Sequence, residues 1–391
     1  MRVEGDFIVI NKWLLPFSWL YGLGVKLRNM AFELGILKTR SFDVPIISVG
    51  NITVGGTGKT PHVEYLVRHL KDLFHVAVLS RGYKRKSKGF IRATKETAMP
   101  EIGDEPYQMK QKFPDVTVAV DKSRCHGIEE LTDNDKGLDV ILLDDAFQHR
   151  YVKPGINILL VDYHRLIIYD TLLPAGRLRE PLSGKDRADV VIVTKCPKDL
   201  KPMEFRVITK AMSLYPYQSL YFTCLEYGDL NPIFGELGKL GKLGELGGHH
   251  VLLLTGIASP EQMLHDLEPY TKQVTPLTFA DHHQFDGKDI QRINETFEQM
   301  SEPRCIITTE KDATRLHHAE GLSEEVRKNI YTLPVYIHFL LEQEDTFNQY
   351  IIGYVRKNSR NSILAKAKDD HKPKNSDHPG DRPRTISFRN N

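Results

Sequence analysis

Short apolar runs alternate with polar or amphipathic stretches along residues 44–200. The runs read as buried strands at residues 44–49, 76–79, 116–120, 140–143, 156–161 and 190–193. After the first run, Pro61 stands just inside a helix start, and apolar side chains recur at helical spacing at Val63, Leu66, Val67, Leu70 and Phe74. Strands separated by helices indicate βαβ units. The pattern therefore predicts an α/β fold with a mostly parallel sheet and helices on both faces.

A second, smaller α/β series follows from residue 250. Its pattern predicts helices beginning at Pro260 and Asp286, and strands at residues 250–255, 274–279, 305–309 and 331–337. Between the two series, residues 235–248 repeat glycine and leucine every three positions. Glycine at this density opposes helix and central strand alike, so we expect an exposed loop insertion there. From about residue 358 the chain has almost no apolar side chains, and we expect a basic, disordered tail.

The N-terminal residues 13–25 are apolar and aromatic and contain both tryptophans of the chain, Trp13 and Trp19. Lys26 and Arg28 follow directly. The run is shorter than the roughly 20 apolar residues that span a bilayer, and it lacks the pattern of a secretory signal. It predicts an amphipathic helix. Such a helix could lie in a membrane interface or pack on the protein core, and the residues leave both open.

Composition narrows the classes of partner. The chain has 391 residues, with 40% hydrophobic and 27% charged residues and a net charge of +2. These are ordinary values for a soluble globular protein with room for two domains. Charge close to neutral, without a basic stripe, argues against a nucleic-acid partner. The four cysteines are far apart and form no CxxC pair, which excludes the usual zinc-ribbon spacing.

A glycine-rich segment lies between the first predicted strand and its helix. Residues 50–61 read Gly-Asn-Ile-Thr-Val-Gly-Gly-Thr-Gly-Lys-Thr-Pro. In a phosphate-binding loop the backbone N–H groups and a helix N-terminus face the anion, a lysine reaches the outer phosphates, and a hydroxyl ligates Mg²⁺. A glycine-rich turn without a ligand is the alternative. The context of strand, loop and helix favours a P-loop NTPase-like nucleotide site formed by Thr53, Val54, Gly55, Gly56, Thr57, Gly58, Lys59 and Thr60.

Two carboxylates end the predicted strand at residues 140–143. In P-loop proteins an acidic residue at this place holds the metal directly or through water. Asp144 and Asp145 are therefore candidate Mg²⁺ ligands, together with the Thr60 hydroxyl. An acidic pair at a strand end also occurs for solubility alone, but its combination with the glycine-rich loop favours the metal site.

Three further sites could take part in catalysis or ligand binding, and each also has a purely structural interpretation. Arg81 follows the second strand, at the edge where open α/β sheets bind ligands, although a solvated basic loop would look the same. Asp104 opens a predicted helix and is either a cap or a base for a hydroxyl nucleophile; the residues alone favour the cap. The run Asp281-His282-His283 suits acid–base work or a helix N-terminus equally well.

Taken together, these segments resemble the tetraacyldisaccharide 4′-kinase family, the lipid A 4′-kinases of Gram-negative bacteria. The resemblance covers roughly residues 14 to 340, in the family's order. Thr53 is what this family has at that loop position, whereas Ala146 replaces a glycine common after the acidic pair. The carrying segments are residues 14–21, 48–61, 79–83, 103–106, 144–149, 173–181, 279–285 and 309–312.

The resemblance implies a kinase that uses ATP and Mg²⁺ to phosphorylate a lipid A disaccharide precursor at its 4′-hydroxyl. It implies that Asp104 is the base, assisted by His282, with Lys59 and Arg81 at the phosphates. Glu180 would join the metal ligands Thr60, Asp144 and Asp145. The resemblance also implies a peripheral or monotopic protein on the cytoplasmic face of the inner membrane, with neither nucleic acid nor an obligate protein partner.

Five segments follow from these patterns. We expect an N-terminal membrane-interface segment at residues 1–40 and a P-loop kinase domain at 41–234. A Gly/Leu-rich insertion at 235–249 precedes a second α/β domain at 250–357, and the tail occupies 358–391.

A nucleotide-dependent switch is the alternative to a kinase. Residues 194–197, Thr-Lys-Cys-Pro, argue against it because they lack the Asn and Asp of a GTPase base-reading motif.

Overall fold

The computed structural model describes residue 8 and residues 10–235, 240–257, 260–281 and 283–370, of which 360–370 are described by their backbone course alone. The chain forms a larger and a smaller β-sheet with helices packed on them. The helices are α1 Leu15–Glu33, α2 Lys59–Leu70, α3 Met99–Ile102, α4 Asp104–Lys112, α5 Arg124–Asn134, α6 Pro202–Met212, α7 Glu261–Leu267, α8 Gly287–Glu298, α9 Glu310–Leu316, α10 Glu324–Lys328 and α11 Glu344–Asp370.

The larger sheet is parallel except at its two edges. Its strands are β1 Ile46–Gly50, β2 Val76–Ser80, β3 Ile91–Arg92, β4 Thr117–Val120, β5 Val140–Asp144, β6 Ile156–Asp162, β7 Val190–Thr194, β8 Ser219–Tyr227 and β14 Val335–Phe339. They lie in the order β14-β8-β7-β6-β1-β5-β2-β4-β3, and β3 and β14 are the antiparallel edge strands. The apolar runs predicted all the parallel strands of this sheet except β8.

Helices cover both faces of this sheet because its central strands are buried on both sides. On one face, Ile47 and Val49 of β1 pack against Val63 and Leu66 of α2. Helices α4 and α11 lie on the same face, whereas α5 and α6 contribute to the clusters on the other face. Burying such side chains stabilises the fold by about 1.5–3 kcal/mol each. The predicted α/β class with helices on both faces is confirmed.

The smaller sheet follows the second apolar series. Its strands are β9 Asn231–Pro232, β10 His250–Thr255, β11 Val274–Thr278, β12 Arg304–Thr309 and β13 Ile330–Leu333. Their order is β11-β10-β12-β13-β9, parallel except for β9. Helix α7 packs on one face through Met263 and Leu267, and α8 packs on the other through Ile293 and Phe297.

The predicted strand at residues 331–337 is wrong as a single element. The chain forms β13 in the smaller sheet and then β14 in the larger sheet, with Pro334 between them. Proline has no backbone N–H for a ladder, so the apolar run is interrupted there. Because β14 and α11 pack with the larger sheet and β9 with the smaller one, the sheets cut across the predicted domain limits 41–234 and 250–357.

Two predictions about irregular segments also need correction. Within the Gly/Leu repeat, Leu243–Leu246 forms a 3₁₀ turn whose end leucines are buried beneath the smaller sheet, so this part is not an exposed loop. The leucines supply apolar area that favours burial even where glycines break regular structure. Residues 236–239 lie outside the described part. At the C-terminal end, α11 is helical to Asp370, beyond the predicted start of the tail at residue 358.

The N-terminal segment is helical, but a division into one apolar and one polar face is not confirmed. Helix α1 packs on the protein through Ser18, Gly22 and Phe32, and its remaining surface is largely apolar. Ser18 Oγ donates to Leu172 O at 2.9 Å and accepts from Ala175 N at 3.0 Å. None of the helices in the described ranges is long and apolar enough to cross a membrane. The exposed side chains of α1 include Phe17, Trp19, Leu20, Leu23 and Leu27, and Trp13 is exposed just before the helix.

Candidate functional site

The candidate residues meet at the carboxyl ends of three neighbouring parallel strands. The glycine-rich loop follows β1, the acidic pair ends β5, and Arg81 follows β2. Parallel strands direct their carboxyl ends to one edge, where open α/β sheets bind ligands. Strand order therefore brings together residues that are far apart in sequence.

The glycine-rich loop has the backbone of a phosphate cradle. Gly55 and Gly58 have φ values of 114° and 79°, which side chains with a Cβ rarely adopt. Helix α2 begins at Lys59, so its first unpaired N–H groups and its positive dipole end lie at the loop. A helix of this length with such an N-terminus is suited to bind an anion.

Contacts from three directions hold this loop in place. Asn51 Nδ2 donates to Thr57 Oγ1 at 2.8 Å, and Thr194 Oγ1 at the end of β7 donates to Thr57 O at 3.0 Å. Lys195 Nζ donates to Gly56 O and pairs with Asp162 Oδ2 at 2.8 Å. On the other side, Thr53 forms an isolated antiparallel β-bridge with Leu178, and Val54 N donates to Arg177 O at 2.8 Å. The loop is thus pre-organised by its surroundings.

The acidic pair lies beside the loop lysine. Lys59 Nζ is 3.5 Å from Asp145 Oδ1, and Arg179 Nη1 is 3.7 Å from Asp145 Oδ2. Burial raises the pKa of Asp144 above its usual range, and the carboxylates of Glu105 and Asp145 add to the rise, while Lys59 opposes it. A buried carboxyl with this pKa is stabilised in its charged form by a cation.

The chemistry of the acidic pair fits Mg²⁺. Among the described residues, no hydrogen-bond donor reaches the buried Asp144 Oδ1, and Asp145 Oδ1 has only the Lys59 ammonium at 3.5 Å. Mg²⁺ is usually held by one or two carboxylates plus waters and phosphate oxygens. Thr60 stands in the first turn of α2. Glu180 Oε2 is paired with Arg187 Nη2 at 2.9 Å, and no hydrogen-bond donor reaches its buried Oε1 among the described residues. Within the described ranges, no group of three or more His, Cys, Asp or Glu side chains is arranged to hold a metal ion.

Asp104 lies where the two sheets' helices meet. It is the first residue of α4, after Gly103 with a φ of 93°, and its Oδ1 accepts from Glu105 N at 3.0 Å. The predicted helix cap is therefore not its role, since Gly103 is the N-cap residue. Its Oδ2 accepts a hydrogen bond from the buried Arg315 of α9. Glu105, the residue after Asp104, helps to raise the pKa of Asp144, so the start of α4 lies near the acidic pair.

A lysine links the same region to the loop before α8. Lys311 Nζ lies 3.2 Å from Glu105 Oε1 and 3.4 Å from Asp281 Oδ1. Burial alone would lower the pKa of Lys311, but the carboxylates of Glu105, Asp104 and Asp281 outweigh burial and raise it. Asp281 is thus close to the start of α4. His282, the predicted assistant of Asp104, lies outside the described residues, and His283 pairs with Asp289 at 2.7 Å.

Arg81 is exposed after β2 and faces the same edge. Burial lowers the pKa of Arg124 to about 10, and the nearby charge of Arg81 adds to the lowering. Burial likewise lowers the pKa of His149 to about 4, with Arg124 and Arg81 contributing. These arginines form a positive region next to the acidic pair, which suits an anionic ligand.

Sequence reasoning missed several charged residues of this region. Arg124 is buried and donates to Asp144 O at 2.9 Å and to Asp121 O at 2.8 Å. Lys195 holds the glycine-rich loop, and Arg315 holds Asp104. For Lys195 a signal existed, because it follows a predicted strand at the binding edge. Arg124 opens α5 and Arg315 lies near the end of α9, and neither belongs to a recognisable local motif.

A cavity of about 350 Å³ lies beside the residues that follow the acidic pair, including Ala146. It is lined by Ser48, His149 and Arg187 among others. Ser48 points to the sheet face opposite to Ile47 and Val49, which pack against α2. The cavity is therefore not the space in front of the glycine-rich loop, and the nucleotide site follows from the loop geometry.

Comparison with known proteins gives consistent matches over most of the chain. A family model described as Tetraacyldisaccharide-1-P 4′-kinase matches residues 10–356. The tetraacyldisaccharide 4′-kinase of Phocaeicola vulgatus is 59% identical over 363 residues, covering 92% of this chain and 99% of the relative. That of Bacteroides thetaiotaomicron is 55% identical over 378 residues, covering 94% of this chain and 100% of the relative.

A solved structure matches the fold as well. The crystal structure described as the "apo" form of LpxK from Aquifex aeolicus in complex with ATP superimposes with a TM-score of 0.67 at 30% identity. The match covers 88% of this chain and 99% of that chain. Sequence and architecture thus point to the same group of proteins.

Proposed function

The chain belongs to the tetraacyldisaccharide-1-P 4′-kinase family, and from this premise we propose that it transfers the γ-phosphate of ATP to the 4′-hydroxyl of a tetraacyl glucosamine disaccharide lipid. The resemblance carried by the sequence motifs is confirmed, and the chain is an ATP-dependent kinase of lipid A biosynthesis. The mechanism is supported mainly by one observation. Lys59, the acidic pair and the start of α4 lie close together at the carboxyl edge of the larger sheet.

The glycine-rich loop binds the phosphates of ATP in this proposal. Residues 53–60 surround the β- and γ-phosphates with N–H groups, and Lys59 neutralises their charge. Transfer of a phosphoryl group needs positioning and charge neutralisation more than covalent help. The contacts of Asn51, Thr194 and Lys195 with the loop support this role because they fix its backbone before ATP binds. Arg81 adds positive charge at the same edge.

Asp144, Asp145 and Thr60 are the residues that would hold Mg²⁺. The metal, when bound, offsets charge on the phosphate oxygens. The buried Asp144 Oδ1, which no hydrogen-bond donor reaches among the described residues, supports this assignment. Asp144 and Asp145 stand at the end of β5 beside the strand that leads into the glycine-rich loop, so we propose them as the principal ligands, with Glu180 as a further ligand.

Asp104 accepts the proton of the attacking sugar hydroxyl in this proposal. Its position at the start of α4, near the acidic pair, supports the role because the hydroxyl and the γ-phosphate must meet there. His282, which the family resemblance pairs with Asp104, lies outside the described residues.

Transfer of label from ATP to the lipid tests the proposed function. The purified protein receives γ-labelled ATP, Mg²⁺ and the tetraacyl disaccharide lipid in detergent, and the lipid phase is analysed for label and for the position of the new phosphate. We expect labelled lipid with phosphate on the 4′-hydroxyl. Hydrolysis of ATP without labelled lipid would contradict the proposal and favour a nucleotide switch.

We also propose that the protein lies on the cytoplasmic surface of the inner membrane through α1. Trp19 is 78% exposed and Leu20 is 70% exposed, and Lys26 and Arg28 follow on the same helix. An apolar surface with nearby cations suits the interface of an anionic bilayer. The opposite side of α1 contacts the segment at residues 172–180, which borders the glycine-rich loop, so binding would bring the site close to its lipid.

Binding to vesicles tests this placement. In vesicles of phosphatidylethanolamine and phosphatidylglycerol, we expect the double variant Trp19→Glu/Leu23→Glu to partition about tenfold or more weakly than the unchanged protein, because apolar area is lost from the interface. Met203, 63% exposed on α6, provides the control variant Met203→Glu. Equal partition of the double variant and the unchanged protein would contradict the placement.

A further inference from the structure

We propose that Arg315 is a positioning residue for the reaction, which holds Asp104 in the orientation needed to accept the sugar proton. The inference rests on the proposed function of Asp104 and concerns a residue of another helix, α9. The Arg315 side chain is 1% exposed, and its Nη2 donates to Asp104 Oδ2. A buried guanidinium with a fixed direction restricts the rotation of the carboxylate that it binds.

Arg315 is itself held by a second carboxylate. Its Nη1 donates to Asp312 Oδ1 at 2.9 Å, and Asp312 is fully buried. Asp312 Oδ2 in turn accepts from Gly256 N at 2.9 Å and from Thr309 Oγ1 at 2.7 Å. Thr309 is the N-cap of α9, accepting from Asp312 N at 3.1 Å. The guanidinium is therefore fixed to the end of β12 and the start of α9.

These contacts connect the smaller sheet to the proposed base. Strand β12 and helix α9 belong to the smaller sheet and its helices, whereas Asp104 starts α4, which packs on the larger sheet. The orientation of Asp104 then depends on how the two parts of the molecule meet. Because a misplacement of 1 Å can lower a rate about 100-fold, a residue that sets this orientation controls turnover without touching the substrate.

A neighbouring ion pair supplies a matched control. Lys112 at the end of α4 lies 2.7 Å from Glu310 Oε1 at the start of α9. This pair joins the same two helices as Arg315 and Asp104 but has no contact with Asp104. Glu310→Gln removes the charge pair and leaves Lys112 with Glu64 at 2.6 Å. The variant therefore weakens docking of the helices without changing the partner of Asp104.

Steady-state kinetics of Arg315→Lys and Arg315→Gln test the inference. We expect kcat to fall about tenfold in Arg315→Lys, which keeps the charge, and about 100-fold in Arg315→Gln, while KM for ATP stays within about twofold. Glu310→Gln keeps kcat within about twofold. If Arg315→Gln does not fold, because it leaves buried carboxylates unpaired, Arg315→Lys carries the test through the same readouts.

Double variants that combine these Arg315 substitutions with Asp104→Asn distinguish a positioning role of Arg315 from a purely structural one. If Arg315 acts through Asp104, Arg315→Lys changes the residual rate of Asp104→Asn less than about twofold, since residues that act as a unit are not additive. Equal losses in both backgrounds, an unchanged kcat in Arg315→Lys, or an equal loss in Glu310→Gln would overturn the inference. Absence of lipid phosphorylation by the unchanged protein would instead overturn the proposed function.

Discussion

Lys59 is the first residue of α2, and its ammonium lies 3.5 Å from Asp145. In the proposed site the same ammonium contacts the outer phosphates of ATP. We predict that Lys59→Ala lowers kcat for lipid phosphorylation at least 100-fold, because charge on the transferred group is no longer offset. Quantifying labelled lipid checks this. Lys71→Ala at the other end of α2 is the control, and unchanged turnover of Lys59→Ala would mean that the loop is not the phosphate site.

Among single residues, those whose role depends on local backbone chemistry could be predicted from the sequence. The glycines of the loop, Lys59 and the strand-end carboxylates are recognisable because each function needs a residue type at a fixed place beside a strand. Arg315 was not predictable, since its partner Asp104 is 211 positions away in the chain. Such a contact exists only after two sheets have packed together.

Among the elements, α2 contains a buried histidine that makes the fold sensitive to acid. His62 Nδ1 lies 2.7 Å from Gly58 O and Nε2 lies 3.1 Å from Thr223 Oγ1. Burial lowers the pKa of His62 from 6.5 to about 4. Between these values the unfolded chain binds a proton that the folded chain does not, so stability falls as pH decreases from 6.5 towards 4. The loss is on the order of 3 kcal/mol.

We predict that His62→Gln loses less stability on acidification than the unchanged protein. Thermal unfolding followed from pH 7 to pH 4.5 should give a smaller decrease in Tm for the variant, because the neutral amide takes up no proton. His265→Gln, at an exposed position on α7, is the control. The same decrease in Tm for His62→Gln and the unchanged protein would contradict the assignment.

Secondary structure was predictable where a short apolar run is buried along its whole length. Strands β1, β2 and β5 are buried on both faces, and their ends agree with the predicted ones to within two residues. The run at residues 331–337 failed because its two halves are buried in different sheets, and periodicity does not distinguish one sheet from another. The prediction of an exposed loop for the Gly/Leu repeat was wrong for a related reason. The high glycine content indicated a loop, whereas two of its leucines are buried.

For the whole molecule, the proposed reaction depends on the contact between the helices of the two sheets. Lys112 with Glu310, Lys311 with Glu105, and Arg315 with Asp104 all cross this contact. The contact holds the start of α4, where Glu105 is close enough to raise the pKa of Asp144. Helix α1 contacts residues 172–180, which border the glycine-rich loop, so its exposed apolar surface lies close to the proposed site.

The rate and ATP affinity of Asp104→Asn test the central claim most directly. The substitution keeps the shape of the side chain but removes the acceptor for the sugar proton. We predict that kcat for phosphorylation of the tetraacyl disaccharide falls at least 100-fold, while the Kd for ATP, measured by equilibrium binding, stays within about twofold. A Kd that rises in proportion to the loss of activity, or a kcat that does not change, would contradict the role of Asp104.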